Sequence, residues 1–239
     1  MRSAGTVALT GEAVAGHHSE GRYDLTKAKG EVAYCRRRAE AMLENASPLM
    51  DIYREDGAAR LNAFLLADSR TPGRRRHILH TPPLCTMEPD CLAALLEKQG
   101  LPEENRQRIR AYARTRREQL ETILLTDTVH LELPRLTEQA FAQFPPALPL
   151  SGLFYGQDVP YTYETYLAHL AQTEAFAAAH PRCELEFTGG GAFRNLQITI
   201  HEGQWAMVSK GKSPAIHFVI RHPKLRAAIE RFVPPMVEE

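Results

Sequence analysis

Residues 183–220 read CELEFTGGGAFRNLQITIHEGQWAMVSKGKSPAIHFVI, and the period of this stretch decides the fold class. Leu196, Ile198 and Ile200 alternate with Asn195, Gln197 and Thr199, the two-residue repeat of a strand with one apolar face. CELEF before it and AIHFVI after it are short runs rich in apolar or β-branched residues, each bounded by turn-forming segments. Gly189 to Gly191 form a flexible turn, Glu202 and Gly203 a tight hairpin turn into QWAMVS, and KGKSP a second loop. His222 and Pro223 then start a final helix through Leu225, Ile229 and Phe232. Upstream, Thr162 caps a helix whose Tyr163, Tyr166, Leu167, Leu170 and Phe176 face inward, closed by His180 and Pro181. The order of helix, strands and helix predicts an α/β or α+β fold, with a helical N-terminal half and a mixed sheet ending in a β-hairpin, a strand and a helix.

Moving outward, Val129, Leu131 and Leu133 alternate with His130 and Glu132 as a half-buried strand. Pro102 at a first-turn position, followed by Glu103 and Glu104, opens a long helix with Ile109, Tyr112, Ala113, Leu120, Ile123 and Leu124 on one face. Its other face carries Arg106, Arg108, Arg110, Arg114, Arg116 and Arg117. MEPDCLAALLEKQG is a helix with its stripe through Leu92, Leu95 and Leu96 and Gly100 at its C-cap. His77 to His80 form a short extended piece stopped by Pro82 and Pro83. LMDIYREDGAARLNAFLLAD reads as helical with a break at Gly57, and a further helix runs from Lys29 with Val32, Cys35, Ala39, Met42 and Leu43 on one side. Residues 1–25 lack apolar periodicity and read as a flexible arm, residues 26–125 as a mainly helical region, and 126–239 as an α/β region able to form one domain with 60–125.

The 239 residues carry 29 basic and 29 acidic side chains, which excludes a polyanion-coating protein built on cationic excess. Residues 1–125 hold 20 basic against 17 acidic and the remainder 9 against 12, so the basic surface belongs to the first half. Along the long helix, Arg106, Arg110, Arg114 and Arg117 form a candidate phosphate-tracking face, although charge opposite an apolar stripe is the ordinary dress of a solvated helix. The N-terminus has no apolar run of signal-peptide length, and no stretch approaches the roughly 20 apolar residues of a membrane span. With four dispersed cysteines this predicts a cytoplasmic chain without membrane partners.

Catalytic and metal motifs are incomplete. Gly211-Lys212-Ser213 lacks the glycine a phosphate loop needs at Ala206, and a strand follows it instead of a helix. His77, His80, Cys85 and Cys91 are the right residue types for zinc, but the spacing fits no finger and Cys91 belongs to an apolar helix. No metal, cofactor or catalytic residue is therefore expected.

The stretch YTYETYLAHLAQTEAF (161–176), followed by FRNLQITIHEGQWAMVSKGKSPAIHFVIRHPKLRAAIERF (193–232), resembles the C-terminal effector region of bacterial XRE-like helix-turn-helix transcriptional regulators. HILHTPPLCTMEPDCLAALLEKQG (77–100) looks like part of the same region. Such regions sense a small molecule or hold a dimer, and several look like phospholipase D relatives that have lost the active site. His222, Pro223 and Lys224 match the start of that signature, but Ile229 stands where it needs Asp. The resemblance implies a non-enzymatic sensor of a small polar or anionic effector, acting as a homodimer. It would reach DNA only through a separate domain, because no helix-turn-helix is recognisable in residues 1–60. The expected ligand contacts, beside the hairpin, are Asn195, Trp205, Lys210, Lys212, His217 and Arg221. The alternatives are a phosphodiesterase-like hydrolase using His217 or His222 with Lys224, and direct nucleic-acid binding through the Arg helix.

Overall fold

Alternation and caps in the sequence become strands and helices in the computed structural model, which describes residues 2–3, 6–46, 48–188 and 195–233. The chain forms two compact units, Met1–Pro48 and Leu49–Glu239. The first contains β1 (Arg2–Ser3), β2 (Ala8–Glu12), β3 (Arg22–Thr26) and α1 (Lys29–Glu44). The three strands form an antiparallel sheet, so the arm expected over residues 1–25 is in part a folded sheet. Its Thr and Gly residues hide the strand period, and Ala8 alone of β2 is buried, against Val32 and Cys35 of α1. Met42 and Leu43, expected on the buried side of α1, are exposed.

The second unit contains β4 (Met50–Tyr53), α2 (Ala58–Asp68), β5 (Arg75–Ile78), α3 (Pro89–Lys98), α4 (Glu103–Leu124), β6 (Val129–Pro134), α5 (Glu138–Gln143), α6 (Tyr163–Ala179), β7 (Cys183–Thr188), β8 (Leu196–His201), β9 (Trp205–Lys210), β10 (Ile216–Ile220) and α7 (Pro223–Glu230). Its strands form a seven-stranded mixed sheet in the order β4-β10-β9-β8-β5-β6-β7, an α+β arrangement. β5, β6 and β7 are parallel, joined by helical crossovers as parallel pairing requires, while β8, β9, β10 and β4 add antiparallel. One expectation gives way here. Residues 50–53 are an edge strand rather than helix, stabilised by pairing with the distant β10, a partner that local pattern does not reveal. Residues 126–239 share one unit with the helical segments of 49–125 before them, since β5 lies between β8 and β6 in the same sheet. The glycine turn at 189–191 falls outside the described residues.

Helix ends follow their chemistry. Thr162 accepts from the Thr165 amide in a capping box, and Gly100 adopts φ +65° just past α3, a left-handed conformation that costs glycine nothing. Pro102 is the N-cap of α4 rather than its first helical residue.

The two sheet faces bury different things. On one, Ile78, Ile198, Ile200 and Ala206 pack with Val208 and with Ile229 and Phe232 at α7. On the other, Leu120, Ile123 and Leu124 of α4 and Leu170 and Phe176 of α6 cover Val129, Leu131 and Leu133. This second face is apolar under β6 but polar further along: Arg75 and His77 of β5, Gln197 and Thr199 of β8, Ser209 of β9 and His217 of β10 all point to it by strand alternation and register. Among the described residues no helix is long and apolar enough to cross a membrane.

Candidate functional site

The polar strand face is largely covered: Arg75, Ser209 and His217 are buried, and His77, Gln197 and Thr199 are half-buried. Between it, α2, α4 and the turns around Leu84 and Ser151 lies a cavity of about 110 Å³. Two polar clusters stand in its wall.

The first centres on Asp68, at the end of α2. One carboxylate oxygen accepts from Trp205 Nε1 at 2.7 Å and pairs with His201 Nδ1 at 2.7 Å. The other accepts from Arg75 Nε at 3.2 Å and Nη2 at 3.1 Å. Arg75, only 1% exposed, also donates to the carbonyls of Gly73, Asp68 and Thr71. His201 Nε2 meets the Pro72 carbonyl at 3.0 Å, so the charges are paired and the polar groups partnered.

The second centres on Arg116 of α4. Its guanidinium bonds to Gln119 Oε1 at 2.5 Å, and among the described residues it has no carboxylate partner. Around it, the Tyr112 hydroxyl has no hydrogen bond among the described residues, and the buried Ser151 Oγ and His77 Nε2 have none either. His77 keeps some accessible surface, as a cavity-wall residue does, yet surrounding protein excludes most water. That desolvation, with the nearby charges of Arg116 and Arg75, lowers its pKa to about 3, opposed only by Asp68. The imidazole is neutral at physiological pH. Burial likewise raises the Tyr112 and Cys85 pKa values, against the pull of Arg116. A methyl added at Gly152 would meet the Tyr112 oxygen at 2.2 Å, so only glycine lets that hydroxyl stand where it does.

Of the residues expected to hold a ligand, Trp205 and His217 line this cavity. His217 Nδ1 lies 2.7 Å from Ser209 Oγ and Nε2 lies 3.0 Å from the Ser151 carbonyl. With a carbonyl on the second nitrogen, Nε2 carries the proton and Nδ1 accepts from Ser209, a pair that positions the ring. Ser209 is fully buried and outside the lining, so this pair offers no nucleophile to the cavity.

Asn195, Lys210, Lys212 and Arg221 are not in the lining. Asn195 is exposed and its carbonyl accepts from Gly211 N at 2.7 Å. Lys210 ends β9 on the opposite sheet face, and Lys212 is exposed in the following loop, where its charge adds to the burial that lowers the His80 pKa. Arg221 pairs with Asp51 and lies over the Phe64 ring at 5.0 Å. His222 is the exposed N-cap of α7 and makes no side-chain cap bond.

On α4, Arg106 and Arg110 both pair with Glu103, and Arg117 pairs with Glu88 and Glu121, while Arg114 is exposed. The face is therefore largely neutralised by its own carboxylates. His77 and Cys85 line the cavity while His80 and Cys91 do not, and among the described residues no group of three or more His, Cys, Asp or Glu is arranged to hold a metal ion.

On sequence alone Arg116 belongs to the charged helix face and Tyr112 to the apolar one, while Gln119 and Ser151 have no assigned role. A signal was present. Ile109, Tyr112, Arg116, Leu120 and Ile123 follow one another at three- and four-residue steps, so Arg116 interrupts the apolar stripe rather than opposing it. The chain matches no protein-family model and no curated protein.

Proposed function

We propose that this protein is a non-enzymatic sensor module that binds a small anionic molecule in the cavity between the polar sheet face, α2 and α4. The observation that carries the reading is Arg116. Arg116 is half-buried in the cavity wall without a counter-charge, and a bound anion supplies the pairing that no carboxylate of the described chain provides. Arginine also suits the task, because its planar fork meets a carboxylate through two parallel hydrogen bonds. The volume limits the ligand. An apolar cavity of about 150 Å³ accommodates benzene, so about 110 Å³ limits the ligand to a compact molecule of at most about six non-hydrogen atoms.

The resemblance of residues from about 60 to 232 to regulator effector regions supports a role in transcriptional control. On this reading the module is a homodimer, and DNA contact belongs to a separate domain. No hydrolytic site is part of the proposal: His217 is held on both nitrogens, and His222 is exposed at the start of α7.

Thermal unfolding in the presence of two- to four-carbon carboxylic acids, at matched ionic strength with chloride, tests it. A ligand that binds only the folded state raises Tm with its concentration. At least one acid is expected to raise Tm in the native protein and to lose that effect in Arg116→Met. Equal responses of the two proteins to every acid would end the proposal.

A further inference from the structure

Arg116, Tyr112 and Ser151 can all donate to an anion, but His77 cannot be satisfied by the same group. A neutral imidazole carries one N–H and one lone pair, so whichever nitrogen holds the proton, the other needs a donor. Neither ring nitrogen of His77 has a hydrogen-bond partner among the described residues, and Nε2 is buried. A carboxylate only accepts. A simple acid would therefore pair Arg116 and leave the acceptor nitrogen of His77 bare.

Asp68, the one carboxylate in the lining, does not compensate. Its oxygens are already engaged by Trp205, His201 and Arg75. It is therefore poorly placed to hold a ligand ammonium, which would also stand in one small cavity with the charge of Arg116. A hydroxyl donates without charge. We infer that the ligand is a small hydroxy acid whose carboxylate meets Arg116 and whose hydroxyl donates to the imidazole of His77. The inference rests on the anion-binding reading of the same cavity and adds the second functional group. The neutral state of His77, with its pKa lowered to about 3 mainly by burial, keeps the acceptor available across physiological pH. The tyrosine hydroxyl over Gly152 is a further donor for the carboxylate, held in place by the absence of a side chain there.

Calorimetric titration at pH 7.5 with lactate, propionate and alanine separates the terms, since the three differ chiefly in what stands on the second carbon. A polar contact made in a desolvated site discriminates strongly against an analogue that lacks it, because the protein group is then left unpaired. Lactate is expected to bind at least about tenfold more tightly than either propionate or alanine. In His77→Phe the lactate-to-propionate ratio collapses toward one, whereas His77→Gln, which keeps a donor and an acceptor, retains a preference for lactate. If His77→Phe does not fold, the native ratio and the glutamine variant decide.

Equal binding of lactate and propionate, both lost in Arg116→Met, would overturn the hydroxy-acid inference and leave the anion site standing. A lactate preference that survives His77→Phe would overturn the role given to His77. Binding of none of the three would overturn the inference, and the Tm series with the other acids would then decide the anion reading by itself.

Discussion

Arg75 and Arg116 stand in the wall of one cavity and are differently furnished. Arg75 is enclosed by the carboxylate of Asp68 and three backbone carbonyls, whereas Arg116 has one amide oxygen of Gln119. The first cluster spans α2, β5, β8 and β9 through Asp68, Arg75, His201 and Trp205, and its polar groups answer one another. The second gathers Arg116, Tyr112, His77 and Ser151, whose side chains line the cavity without a hydrogen bond to one another. A buried polar network that is closed holds a fold in one arrangement. One that is open has stability to gain from something not part of the chain.

The largest expected effect follows directly. Asp68→Ala leaves the Arg75 guanidinium buried without a counter-charge and removes the acceptor of the Trp205 and His201 ring N–H groups, a change expected to cost about 3–5 kcal/mol. Arg116→Met places an apolar chain of similar length where an unpaired cation stood, so its stability should stay within about 1 kcal/mol of the native protein, or rise. Urea unfolding of both variants at pH 7.5 compares them. Similar losses would mean that Arg116 is as structural as Arg75 and would erase the distinction.

A smaller effect singles out the open cluster by its response to acid. The folded-state pKa of His77, lowered to about 3, lies below the unfolded value of 6.5. The unfolded chain therefore takes up a proton first as pH falls. The stability contribution is intact above pH 6.5 and is lost progressively from there toward pH 3. Between pH 7.5 and 5.0 it amounts to about 2 kcal/mol. His77→Gln should reduce the stability difference between those two pH values by that amount. His80 and His169, lowered to about 4 and about 3 mainly by burial, steepen the acid response of both proteins alike and so cancel in the comparison. An unchanged difference in His77→Gln would place the imidazole in contact with water.

Much of the architecture could be read before any coordinates, because its signals are local. Thr162 and Gly100 announce helix ends through side-chain and backbone chemistry within one turn, and the alternation in 196–200 announces β8. β4 could not be read that way: its four residues have no turn signature, and they become a strand only because β10, more than 160 positions later, offers an edge. The site was half legible for a related reason. Alternation correctly separates Ile198 and Ile200 from Gln197 and Thr199, but it does not say which set faces water, and here both sets face protein. Trp205 and His217 come to the cavity wall because they lie on strands facing the covered side. Lys210 and Lys212 lie outside the lining, as befits cations on a strand end and a loop, where a side chain is ordinarily solvated, whereas Arg116 is half-buried in the cavity wall.

The smallest expected effect comes from the other arginines of α4, which separate charge from burial. Glu103 lies 2.7 Å from Arg106 and 3.7 Å from Arg110, with about half of its side chain exposed (49%). Water screens such pairs and competes for their hydrogen bonds, so each contributes only a few tenths of a kcal/mol. Glu103→Gln should therefore lower stability by less than about 1 kcal/mol, and the loss should vanish near 1 M salt, where the screening length is about 3 Å. Measured beside Asp68→Ala, it sets two acid-to-arginine contacts of similar length in one protein against each other. Glu103 rests in water on the outer surface of α4, while Asp68 gathers its partners where water has been excluded. If removing Glu103 cost as much as removing Asp68, exposure would not be what grades these pairs. The contrast between the buried, satisfied Arg75 and the half-buried Arg116 without a counter-charge would then need a different physical basis.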